Sequence, residues 1–385
     1  MTRIVIIGSS AAGISAAEAA RKQDPNAEIR VFSQDTFLPY YRLRIGEVIT
    51  DPAKRDSLTL HPASWYEDRR IELNLNQTVT GVDVKNKTIA LADESAVEYD
   101  KLILAQGSHS FVPPIPGADL DGVMTLWSMT DALTIESKLT KGKSCVIIGG
   151  GLLGLETAYQ AALKGVDTTV VDTSPRLLAR QLDDIGSEIF RKQVEKQGVN
   201  AVIGGKISAI IKNDSDGKAL AVELEDGTLL PANLVIISTG VRPNVAILDG
   251  TGIEIGHHVV CTNKMETNVK DVYAAGDVME QGGAWFGQWS ISMGQGKVAG
   301  TNAAGGDAVY ELTPPPYTIN TMDTKVAAGG KVSGDEEGYH EDVTRSDGEL
   351  HYRKVCYLDG KVCGFVLIGN TKEYVKLAKE MKETD

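Results

Sequence analysis

A strand, a glycine-rich turn and an alanine-rich helix follow one another twice in this chain, and this repeat constrains the fold more than any other feature. The first copy is RIVIIGSSAAGISAAEAARK at residues 3–22, and the second is SCVIIGGGLLGLETAYQAALKG at residues 144–165. A β-branched apolar run that ends at glycine and leads into a helix is how a parallel βαβ unit opens. The repeat therefore predicts an α/β protein with one nucleotide-binding domain after another.

A second pair of similar segments supports this division. YDKLILAQGSHSFVPPIPG at 99–117 matches ANLVIISTGVRPNVAIL at 232–248, and both begin as buried strands that end in glycine. A segment with the alternation typical of strands precedes each of them, at 77–99 and at 206–230, and Asp226-Gly227 is a hairpin signal in the second. Each half is therefore predicted to run strand, helix, strand, β-meander, strand.

The last third of the chain adds one strand-to-helix unit and a short tail. VYAAGDV at 272–278 is a strand that ends at an aspartate, and a helix is expected to follow it. TPPPY at 313–317 is a linker, because consecutive prolines cannot continue a helix. The tail beyond it is strand-rich, with a hairpin turn at Asp359-Gly360 and an amphipathic helix at 371–382. It is too small to hold much core alone, so we expect it to pack on the rest of the chain.

The second glycine turn carries the complete dinucleotide fingerprint G-x-G-x-x-G at Gly149, Gly151 and Gly154. Gly149 permits the tight turn, Gly151 lets the backbone approach a pyrophosphate, and Gly154 lets helix and strand pack closely. Asp172 ends the next strand, where a carboxylate accepts hydrogen bonds from a ribose 2′-hydroxyl and repels a 2′-phosphate. The pattern predicts an NAD(H) site that disfavours NADP(H).

The first glycine turn departs from that fingerprint. It has Gly8 and Gly13 but carries Ser10 where the middle glycine is expected. The Ser10 hydroxyl can donate to a phosphate oxygen, which offsets part of the lost backbone approach. At the end of the next strand, Ser33 occupies the usual position of the acid, and Asp35 lies two residues beyond. From these residues alone the turn is either a nucleotide site or a glycine-rich packing turn.

Composition excludes several classes of function. The net charge of −13 argues against nucleic-acid binding. The four cysteines include no C-x-x-C pair and no zinc spacing, which predicts a protein without a metal site in a reducing, cytoplasmic compartment. Neither a signal peptide nor a membrane span is recognisable in the sequence. His257-His258, the one adjacent histidine pair, is expected at the surface edge of a strand.

The motifs, taken in order, resemble a known family. The N-terminal turn is followed by LPYYRLR at 38–44, LILAQGS at 102–108, GGGLLGLE at 149–156, ISTGVRPN at 237–244 and VYAAGDV at 272–278. This order, over nearly the whole chain, is similar to that of flavoproteins with two dinucleotide-binding domains, which include glutathione reductase, NADH oxidases and ferredoxin and rubredoxin reductases. LPYYRLR together with a short C-terminal domain is most similar to the NADH:rubredoxin oxidoreductase branch.

The resemblance implies a fold class and a set of domain limits. The fold class is α/β, with two Rossmann-like dinucleotide-binding domains of the glutathione-reductase type and a small α+β C-terminal domain. An FAD-binding domain is expected at 1–112 and 242–312, an NAD-binding domain at 113–241, and the C-terminal domain at 313–385. FAD and NAD(H) are the cofactors that this arrangement implies.

The resemblance also assigns roles to single residues. Asp277 is expected to hold the ribityl chain of FAD. Glu156, the candidate catalytic residue, is expected near the nicotinamide carboxamide or else is an ordinary glutamate on the helix face. The helix with Gln295 and Gly296 is expected to point its N-terminus at the pyrimidine end of the flavin. The role of Glu47 stays open, because many relatives carry a lysine there. The complete set of residues expected to bind FAD or NAD(H) is Gly8, Ser10, Ala11, Ala12, Gly13, Ser33, Gln34, Arg42, Arg44, Val79, Thr80, Ala105, Gln106, Gly107, Gly149, Gly151, Leu152, Leu153, Gly154, Glu156, Asp172, Thr239, Gly240, Gly276, Asp277 and Gln295.

The absence of cysteine near the flavin decides the expected reaction. Residues 33–60 contain no cysteine, whereas relatives that reduce disulfides or peroxides need one or two beside the flavin. Cys145 is expected in the core. Electrons from NADH are then expected to pass singly to a protein carrier, rubredoxin or a similar small iron–sulfur protein, with dioxygen as the default acceptor. Two alternatives stay open: the flavin subunit of a larger redox complex, as in some nitrite reductases, and a binding or signalling flavoprotein, which the intact second fingerprint disfavours.

Several surface residues have two interpretations. Trp285 and Trp289 either shape the flavin pocket or a docking face, or they pack in the core. Arg353 and Lys354 either join Arg42 and Arg44 in a basic patch for an acidic carrier or are scattered, solvated charges, and the second interpretation is favoured. The short C-terminal domain is compatible with a monomer, and a homodimer also stays open.

Overall fold

The computed structural model describes residues 1–212, 220–313, 316–346 and 350–382 and divides the chain into two compact units, neither of which is continuous in sequence. Unit 1 consists of Met1–Ile45, Ala53–His109 and Val241–Pro314. Unit 2 consists of Gly46–Pro52, Ser110–Gly240 and Pro315–Asp385.

The helices and strands are as follows, in chain order. Residues 1–110 contain β1 (Arg3–Ile7), α1 (Ala11–Gln23), β2 (Glu28–Phe32), α2 (Gly46–Thr50), α3 (Ala63–Asp68), β3 (Ile71–Asn74), β4 (Val79–Asp83), β5 (Thr88–Leu91), β6 (Ala96–Glu98), β7 (Lys101–Leu104) and β8 (Ser108–Ser110). Residues 111–243 contain β9 (Val123–Thr125), α4 (Met129–Lys138), β10 (Ser144–Ile148), α5 (Leu152–Leu163), β11 (Asp167–Asp172), α6 (Asp184–Lys196), β12 (Val199–Ile203), β13 (Ile207–Lys212), β14 (Leu220–Leu224), β15 (Leu229–Ala232), β16 (Leu234–Ile237) and β17 (Val241–Pro243). The rest contains β18 (Val259–Cys261), β19 (Val272–Ala274), β20 (Met279–Gln281), α7 (Trp289–Ala303), β21 (Tyr317–Thr321), β22 (Thr324–Gly330), β23 (Tyr339–Arg345), β24 (Tyr352–Leu358), β25 (Lys361–Ile368) and α8 (Tyr374–Lys382).

Unit 1 is built on a parallel sheet of five strands in the order β19-β7-β1-β2-β3. The central strands are continuous apolar runs because both faces of the sheet are covered, and Ile4, Val5, Ile6 and Ile103 are fully buried. The meander β4-β5-β6 lies in the chain between β3 and β7, as the sequence predicts. The first glycine turn follows the carboxyl end of β1, which is where open α/β sheets bind their ligands.

Unit 2 repeats this plan. Its parallel sheet has the order β12-β11-β10-β16-β9, and the meander β13-β14-β15 lies between β12 and β16. The predicted hairpin at Asp226-Gly227 is confirmed, since it joins the antiparallel strands β14 and β15 and Gly227 has a φ of +85°. The predicted order of strand, helix, strand, meander, strand is found in both units, but each half also has a third parallel strand before the meander, β3 in unit 1 and β12 in unit 2, which the sequence analysis did not predict.

The C-terminal tail forms an antiparallel sheet in the order β21-β22-β25-β24-β23, with α8 packed against β25. The hairpin at Asp359-Gly360 is confirmed, and the predicted helix begins at Tyr374. Pro314 and Pro315 of the predicted linker lie outside the described residues. The tail packs on the rest of unit 2, as expected: the Gln193 side chain of α6 donates to the carbonyl of Met322 at 2.6 Å.

Two glycines set the distance between α1 and α7 in unit 1. A Cβ atom added at Gly296 would lie 2.2 Å from the carbonyl oxygen of Ala12, and one added at Gly300 would lie 2.0 Å from that of Ala16. Both distances are too short for any side chain, so the backbones of the two helices touch through glycine and alanine. Among the helices that the structure describes, none is long and apolar enough to cross a membrane.

Candidate functional site

The first glycine turn leaves β1 and enters α1 by a path that only glycine permits at two positions. Gly8 has a φ of +104°, and a Cβ atom there would lie 2.1 Å from the carbonyl oxygen of Ala105. At Gly13, on the first turn of α1, a Cβ atom would lie 1.9 Å from the carbonyl oxygen of Gly8. Ser10 is the N-cap of α1, and its side chain makes no capping hydrogen bond. The backbone N–H groups of Ala11 and Ala12 begin the helix beside it.

The end of β2 is organised around a buried hydroxyl instead of the usual acid. Ser9 donates a hydrogen bond to the Ser33 hydroxyl at 2.8 Å, and the backbone N–H of Asp35 also donates to Ser33 at 3.2 Å. The Asp35 carboxylate accepts from the Tyr40 hydroxyl at 2.8 Å. The Gln34 side chain is exposed. Ser33 therefore holds the first turn against the second strand, and no sequence pattern predicts the hydrogen bond that Ser9 makes to it.

Further along unit 1, a β-bulge lies at the positions predicted to contact the cofactor from the meander. The register between β4 and β5 shifts between Val79 and Gly81, so Thr80 is the extra residue. Val79 is buried, whereas Thr80 is exposed and its hydroxyl donates to the carbonyl of Ala90 at 3.4 Å. Bulges interrupt strand pairing and re-aim the backbone next to functional sites.

Residues that follow β7 form hydrogen bonds with the segment that follows β17. Gln106 donates through its side-chain amide to the carbonyl of Asn244 at 3.1 Å, and the Asn244 amide donates to the carbonyl of Gln106 at 2.8 Å. The Asn244 N–H donates to Gly107, whose φ is +65°. Ala105 supplies the carbonyl that lies against Gly8. Asn244 was not among the predicted residues, although it ends the quoted ISTGVRPN motif.

The Asp277 carboxylate lies just after β19 in a pocket of hydroxyl groups. Ser108 donates to one carboxylate oxygen at 2.9 Å, and Ser292 donates to the other at 3.5 Å. Burial raises the pKa of Asp277, while these two hydroxyls and the charge of Arg42 act in the opposite direction. Neither serine was predicted, because Ser108 lies 169 residues away in the sequence and no local pattern links the two.

Helix α7 is fixed to this turn through its second helical turn. Gly276 has a φ of +79°, and its N–H donates to the side-chain carbonyl of Gln295 at 2.9 Å. The helix begins at Trp289, so Gln295 and Gly296 lie inside it. Gln295 is buried and serves to hold the Gly276 turn, which the sequence pattern did not reveal.

Aromatic and basic side chains surround the entrance to the Asp277 turn in unit 1. Asp277, Trp285 and Ser292 line a small recess, while the Trp289 ring contacts that of Tyr41 with centroids 4.8 Å apart. Two arginines were predicted to bind the cofactor. Arg42 is half-buried, and its charge opposes the rise in the pKa of Asp277. Arg44 is exposed. The recess supports the interpretation that Trp285 shapes a pocket, and for Trp289 both interpretations stay open.

The histidine pair was predicted to lie at the surface, and this prediction was wrong for His258. His257 is exposed, but the His258 side chain is only 13% exposed, stacks on Trp285 with centroids 5.0 Å apart, and faces Glu280. Burial lowers the pKa of His258, partly opposed by Glu280. The sequence could not show this because Trp285 reaches His258 from a loop far along the chain.

In unit 2, the second glycine turn has the geometry that its fingerprint requires. Gly149 has a φ of +115°, and a Cβ atom there would lie 2.2 Å from the carbonyl oxygen of Ser238. A Cβ atom at Gly154 would lie 2.0 Å from the carbonyl oxygen of Gly149. Gly151 is the N-cap of α5, and Leu152 and Leu153 form the first turn of that helix.

The Asp172 carboxylate lies beside this turn and already holds two backbone groups. One oxygen accepts from the N–H of Gly150 at 2.6 Å, and the other accepts from the N–H of Ser174 at 2.7 Å. Each carboxylate oxygen can accept a second hydrogen bond. Asp172 can therefore still accept a hydrogen bond from a ribose 2′-hydroxyl. That contact stays a prediction.

Glu156 and the pair Thr239-Gly240 complete the predicted residues of unit 2. Burial, together with the charge of Glu47 on α2, raises the pKa of Glu156 to about 7. The Thr239 hydroxyl donates to the carbonyl of Phe111 at 2.8 Å, and Gly240, with a φ of +99°, accepts from the N–H of Phe111 at 2.8 Å. Thr239 and Gly240 thus hold the segment that precedes β9.

The two basic residues of the tail do not form a patch. Lys354 is 6% exposed and pairs with Asp183 at 3.0 Å and with Glu341 at 2.8 Å. Arg353 pairs with Asp342 and with Glu373. Both interpretations of Lys354, docking charge and solvated charge, were wrong, because burial beside two carboxylates is a property of the folded tail that the sequence does not display.

The two turns fit dinucleotides on the evidence of their own geometry. A Cβ atom added at Gly151 would meet no other residue within 4 Å, so the space beside the N-terminus of α5 is open to a pyrophosphate. The first N–H groups of a helix are unsatisfied within it and attract anions. Ser10 brings an uncommitted hydroxyl to the matching position of α1. These residues would hold FAD in unit 1 and NAD(H) in unit 2.

Two family models and a relative of similar length match this chain. Residues 2–296 match the family model described as pyridine nucleotide-disulphide oxidoreductase, and residues 315–385 match the one described as rubredoxin NAD+ reductase C-terminal domain. The NADH-rubredoxin oxidoreductase of Clostridium acetobutylicum is 30% identical over 378 residues, which cover 98% of this chain and 94% of that protein.

A solved structure and a longer relative extend the comparison. The crystal structure of NADH:rubredoxin oxidoreductase from Clostridium acetobutylicum has a TM-score of 0.82 and 30% identity, covering 99% of this chain and 95% of that one. A nitrite reductase of Bacillus subtilis that uses NAD(P)H is 29% identical and aligns with 100% of this chain, but the chain spans only 48% of that protein's length.

Proposed function

Because the chain belongs to the pyridine nucleotide-disulphide oxidoreductase family, we propose that it is an NADH-dependent, FAD-containing reductase that delivers electrons to rubredoxin or a similar small iron–sulfur carrier. The family and the fold class expected from the ordered motifs are thereby confirmed. The choice of rubredoxin as the acceptor rests on the match of residues 315–385 to a rubredoxin reductase C-terminal domain.

The state of the cysteines supports direct transfer from the flavin to a carrier. All four are free, and Cys145, Cys261 and Cys356 are buried. Burial raises the pKa of Cys145 and that of Cys261 to about 12, so both are neutral thiols at physiological pH. The core position expected for Cys145 is confirmed. A thiolate is the species that would take electrons from a flavin, and these sites do not supply one. Free thiols also agree with a reducing compartment, and a cytoplasmic location is part of the proposal.

The chain's own residues would then bind and orient the two nucleotides. FAD, when bound, accepts a hydride from NADH and gives up electrons singly. In unit 1, Ser10 and the first turn of α1 would bind its pyrophosphate, and Asp277, held by Ser108 and Ser292, would bind its ribityl hydroxyls. In unit 2, the turn from Gly149 to Gly154 would bind the pyrophosphate of NADH and Asp172 its adenosine ribose.

Acceptor specificity is tested with the purified flavoprotein under anaerobic conditions. NADH is mixed with the protein and with rubredoxin, a [2Fe–2S] ferredoxin or ferricyanide, and acceptor reduction is followed by absorbance. We expect rubredoxin to be reduced at a rate comparable to that of ferricyanide. Fast reduction of ferricyanide or dioxygen with no reduction of either iron–sulfur protein would contradict the carrier assignment and favour an NADH oxidase. Failure of NADH to bleach the flavin at all would favour a binding or signalling protein.

A second candidate function follows from the longer relative. Since the chain spans about half of that nitrite reductase, it is also suited to be the flavin module of a larger redox complex. Affinity purification from the native host distinguishes the two functions. Stoichiometric partner subunits would support the complex, whereas a freely active monomer or homodimer would support the independent reductase.

A further inference from the structure

Helix α5 carries a carboxyl group that the described part of the chain leaves without a partner. Glu156 lies two residues after Gly154, and its carboxyl makes no hydrogen bond or ion pair with any described residue. It is five residues past the N-cap Gly151, which places it about 8 Å along the helix axis from the open N-terminus. Side chains on a helix lean toward its N-terminus, so this carboxyl group lies nearer to the open end of α5 than its own Cα atom does.

Short helix α2 packs against α5 within unit 2 and brings a second carboxyl group to Glu156. One turn beyond Glu156, Gln160 accepts hydrogen bonds from the Thr50 hydroxyl through its side chain and its backbone carbonyl. Glu47 precedes Thr50 by three residues, so it lies on the same face of α2, toward α5. Burial is the larger cause that raises the pKa of Glu156 to about 7, and the charge of Glu47 is the second.

Other titratable groups on the elements packed against α5 do not explain this shift. Strand β10 contributes Cys145, a buried neutral thiol, and β21 contributes Tyr317. On β11, Asp167 is exposed at the start of the strand, and Asp172 is held by the backbone of Gly150 and Ser174. Within the residues that the structure describes, Glu47 is the charged group whose field acts on Glu156.

We propose that Glu47 is a positioning residue that keeps a proton on Glu156 up to neutral pH, so that α5 presents an uncharged carboxyl group to a bound dinucleotide. The inference rests on the proposed NADH site. A carboxylate at Glu156 would repel the two negative charges of the pyrophosphate, whereas the protonated carboxyl does not. Nucleotide binding and proton binding are therefore coupled: the affinity for the nucleotide falls as pH rises through the pKa of Glu156, and nucleotide binding above that pH takes up protons.

ADP-ribose is the probe for this coupling, because it has the pyrophosphate and the adenosine but no nicotinamide and accepts no electrons. Its binding to the oxidised flavoprotein is measured by calorimetry from pH 5.5 to 8.5, in buffers of different ionisation enthalpy that report the protons taken up. We expect the affinity to fall by about five-fold across a midpoint near pH 7, which is the repulsion between a carboxylate and a dianion in water-like screening when their separation is set equal to the axial rise of about 8 Å from Gly151 to Glu156.

Substitutions at Glu47 separate its role from that of burial. In Glu47→Gln the midpoint moves to lower pH, in Glu47→Lys it moves lower still, and in Glu47→Asp, which keeps the charge, it stays near that of the native protein. Glu156→Gln removes the midpoint and the proton uptake altogether. Glu225→Gln, at an exposed position of unit 2, is the matched control and leaves both unchanged.

Two outcomes would overturn the inference. A midpoint that is the same in Glu47→Gln and in the native protein shows that burial alone protonates Glu156. Tight ADP-ribose binding without pH dependence or proton uptake shows that Glu156 is not coupled to the site, and it leaves the reductase function standing. No binding of ADP-ribose at any pH would overturn both the coupling and the NADH site. Because the Glu47 series gives its own result, the test does not depend on the folding of Glu156→Gln.

Discussion

Asp172 combines a structural and a recognition role in one carboxylate. Because it holds the N–H groups of Gly150 and Ser174, it fixes the glycine turn and the following loop before any nucleotide arrives. A ribose hydroxyl would then meet an acceptor whose position is already set, which reduces the entropy lost on binding. The same negative charge would repel the additional phosphate of NADPH.

Replacing Asp172 by alanine should raise the KM for NADH by about ten- to one hundred-fold, since hydrogen bonds to a charged group contribute about 1.5–3 kcal/mol each. The KM for NADPH should change much less, so the preference for NADH should shrink. Steady-state kinetics with both nucleotides measures this. Asp167→Ala, at the exposed start of the same strand, is the control and should leave both values unchanged. An undiminished preference for NADH in Asp172→Ala would contradict the ribose role.

Asp277 should be required for flavin retention. Removing its carboxylate in Asp277→Ala deletes the acceptor for Ser108 and Ser292 together with the predicted ligand of the ribityl chain. We expect the flavin-to-protein absorbance ratio after gel filtration to fall by at least half. A fully yellow and active Asp277→Ala protein would count against this role.

Ser10→Gly provides the comparison for that experiment. Ser10 is predicted to contact the FAD pyrophosphate directly or through water, and glycine at this position is what the regular fingerprint contains. Because glycine restores the close backbone approach that the fingerprint requires, Ser10→Gly should keep FAD bound. Loss of flavin in this variant would show that the hydroxyl itself is needed.

Single residues of the candidate site could be predicted from the sequence where a steric constraint acts within a few residues. Gly8, Gly149 and Gly154 have positive φ values or contacts that exclude a Cβ atom, and such positions leave a pattern in the sequence. The hydroxyls that support Asp277 leave none, because the chain brings them together from distant segments. The burial of Lys354 could not be predicted for the same reason, because its partner Asp183 lies in a distant segment of the chain.

Among the elements, the contact between α1 and α7 is the one least tolerant of change. Gly300→Ala would place a methyl group 2.0 Å from the carbonyl oxygen of Ala16. In an ordinary helix this substitution stabilises by about 1 kcal/mol, but here the forced separation of two backbones should cost about 1–3 kcal/mol or more. We expect a lower melting temperature and weaker flavin retention, measured by thermal unfolding followed through flavin release.

A control for Gly300→Ala exists in the same unit. Gly81 has no positive φ, and a Cβ atom there would meet no other residue within 4 Å. Gly81→Ala should leave the melting temperature within about a degree of the native value, since the added methyl group meets no other residue and creates neither overpacking nor strain. Equal effects of the two substitutions would mean that close packing of α1 and α7 is not what limits stability.

The order of elements in each half was predictable because strand and helix periodicities are local. The starts of helices were less so: the sequence predicted a helix after VYAAGDV without a starting residue, and α7 begins at Trp289. The Gly276 N–H donates to the Gln295 side chain inside this helix, and the expected contact of Gln295 with the cofactor stays a prediction. A helix start depends on how the preceding loop packs, and the loop from Gly276 to Gln288 is fixed by tertiary contacts.

On the scale of the whole molecule, the tail is anchored to its unit by a buried charge. Lys354 pairs with Asp183, which is also the N-cap of α6 and accepts a hydrogen bond from the Tyr352 hydroxyl at 2.7 Å. Lys354→Met should therefore destabilise unit 2 by about 3–5 kcal/mol, because it leaves the largely buried Asp183 carboxylate without its cation. Thermal unfolding should show the loss as a lower transition temperature.

The exposed Lys361 offers a control on the same sheet. Lys361→Met should change the transition temperature little, because surface ion pairs and solvated lysines contribute about 0–1 kcal/mol. If Lys354→Met unfolds at the same temperature as Lys361→Met, the buried pair is not what holds the tail. Limited proteolysis, monitored for release of a fragment of the tail, gives an independent measurement.

The repeat and the family resemblance predict how the chain divides into domains. The limits expected for the FAD and NAD domains stay a prediction, and the structure adds one feature to them: residues 46–52, which carry Glu47, belong to the compact unit of the second nucleotide turn. A short helix of five residues has no sequence signal that would announce this placement.

The discontinuous sequence of unit 1 has a consequence for how the protein is made. Strand β19 closes one edge of its sheet, and α7 covers the alanine face of α1, yet both are encoded after residue 270. As the ribosome synthesises the chain from its N-terminus, the first glycine turn is complete early, but its helix waits exposed through the translation of more than two hundred further codons. The flavin site proposed for unit 1 can be completed only when α7 has emerged, so a nascent chain that stalls before that point lacks part of the proposed site.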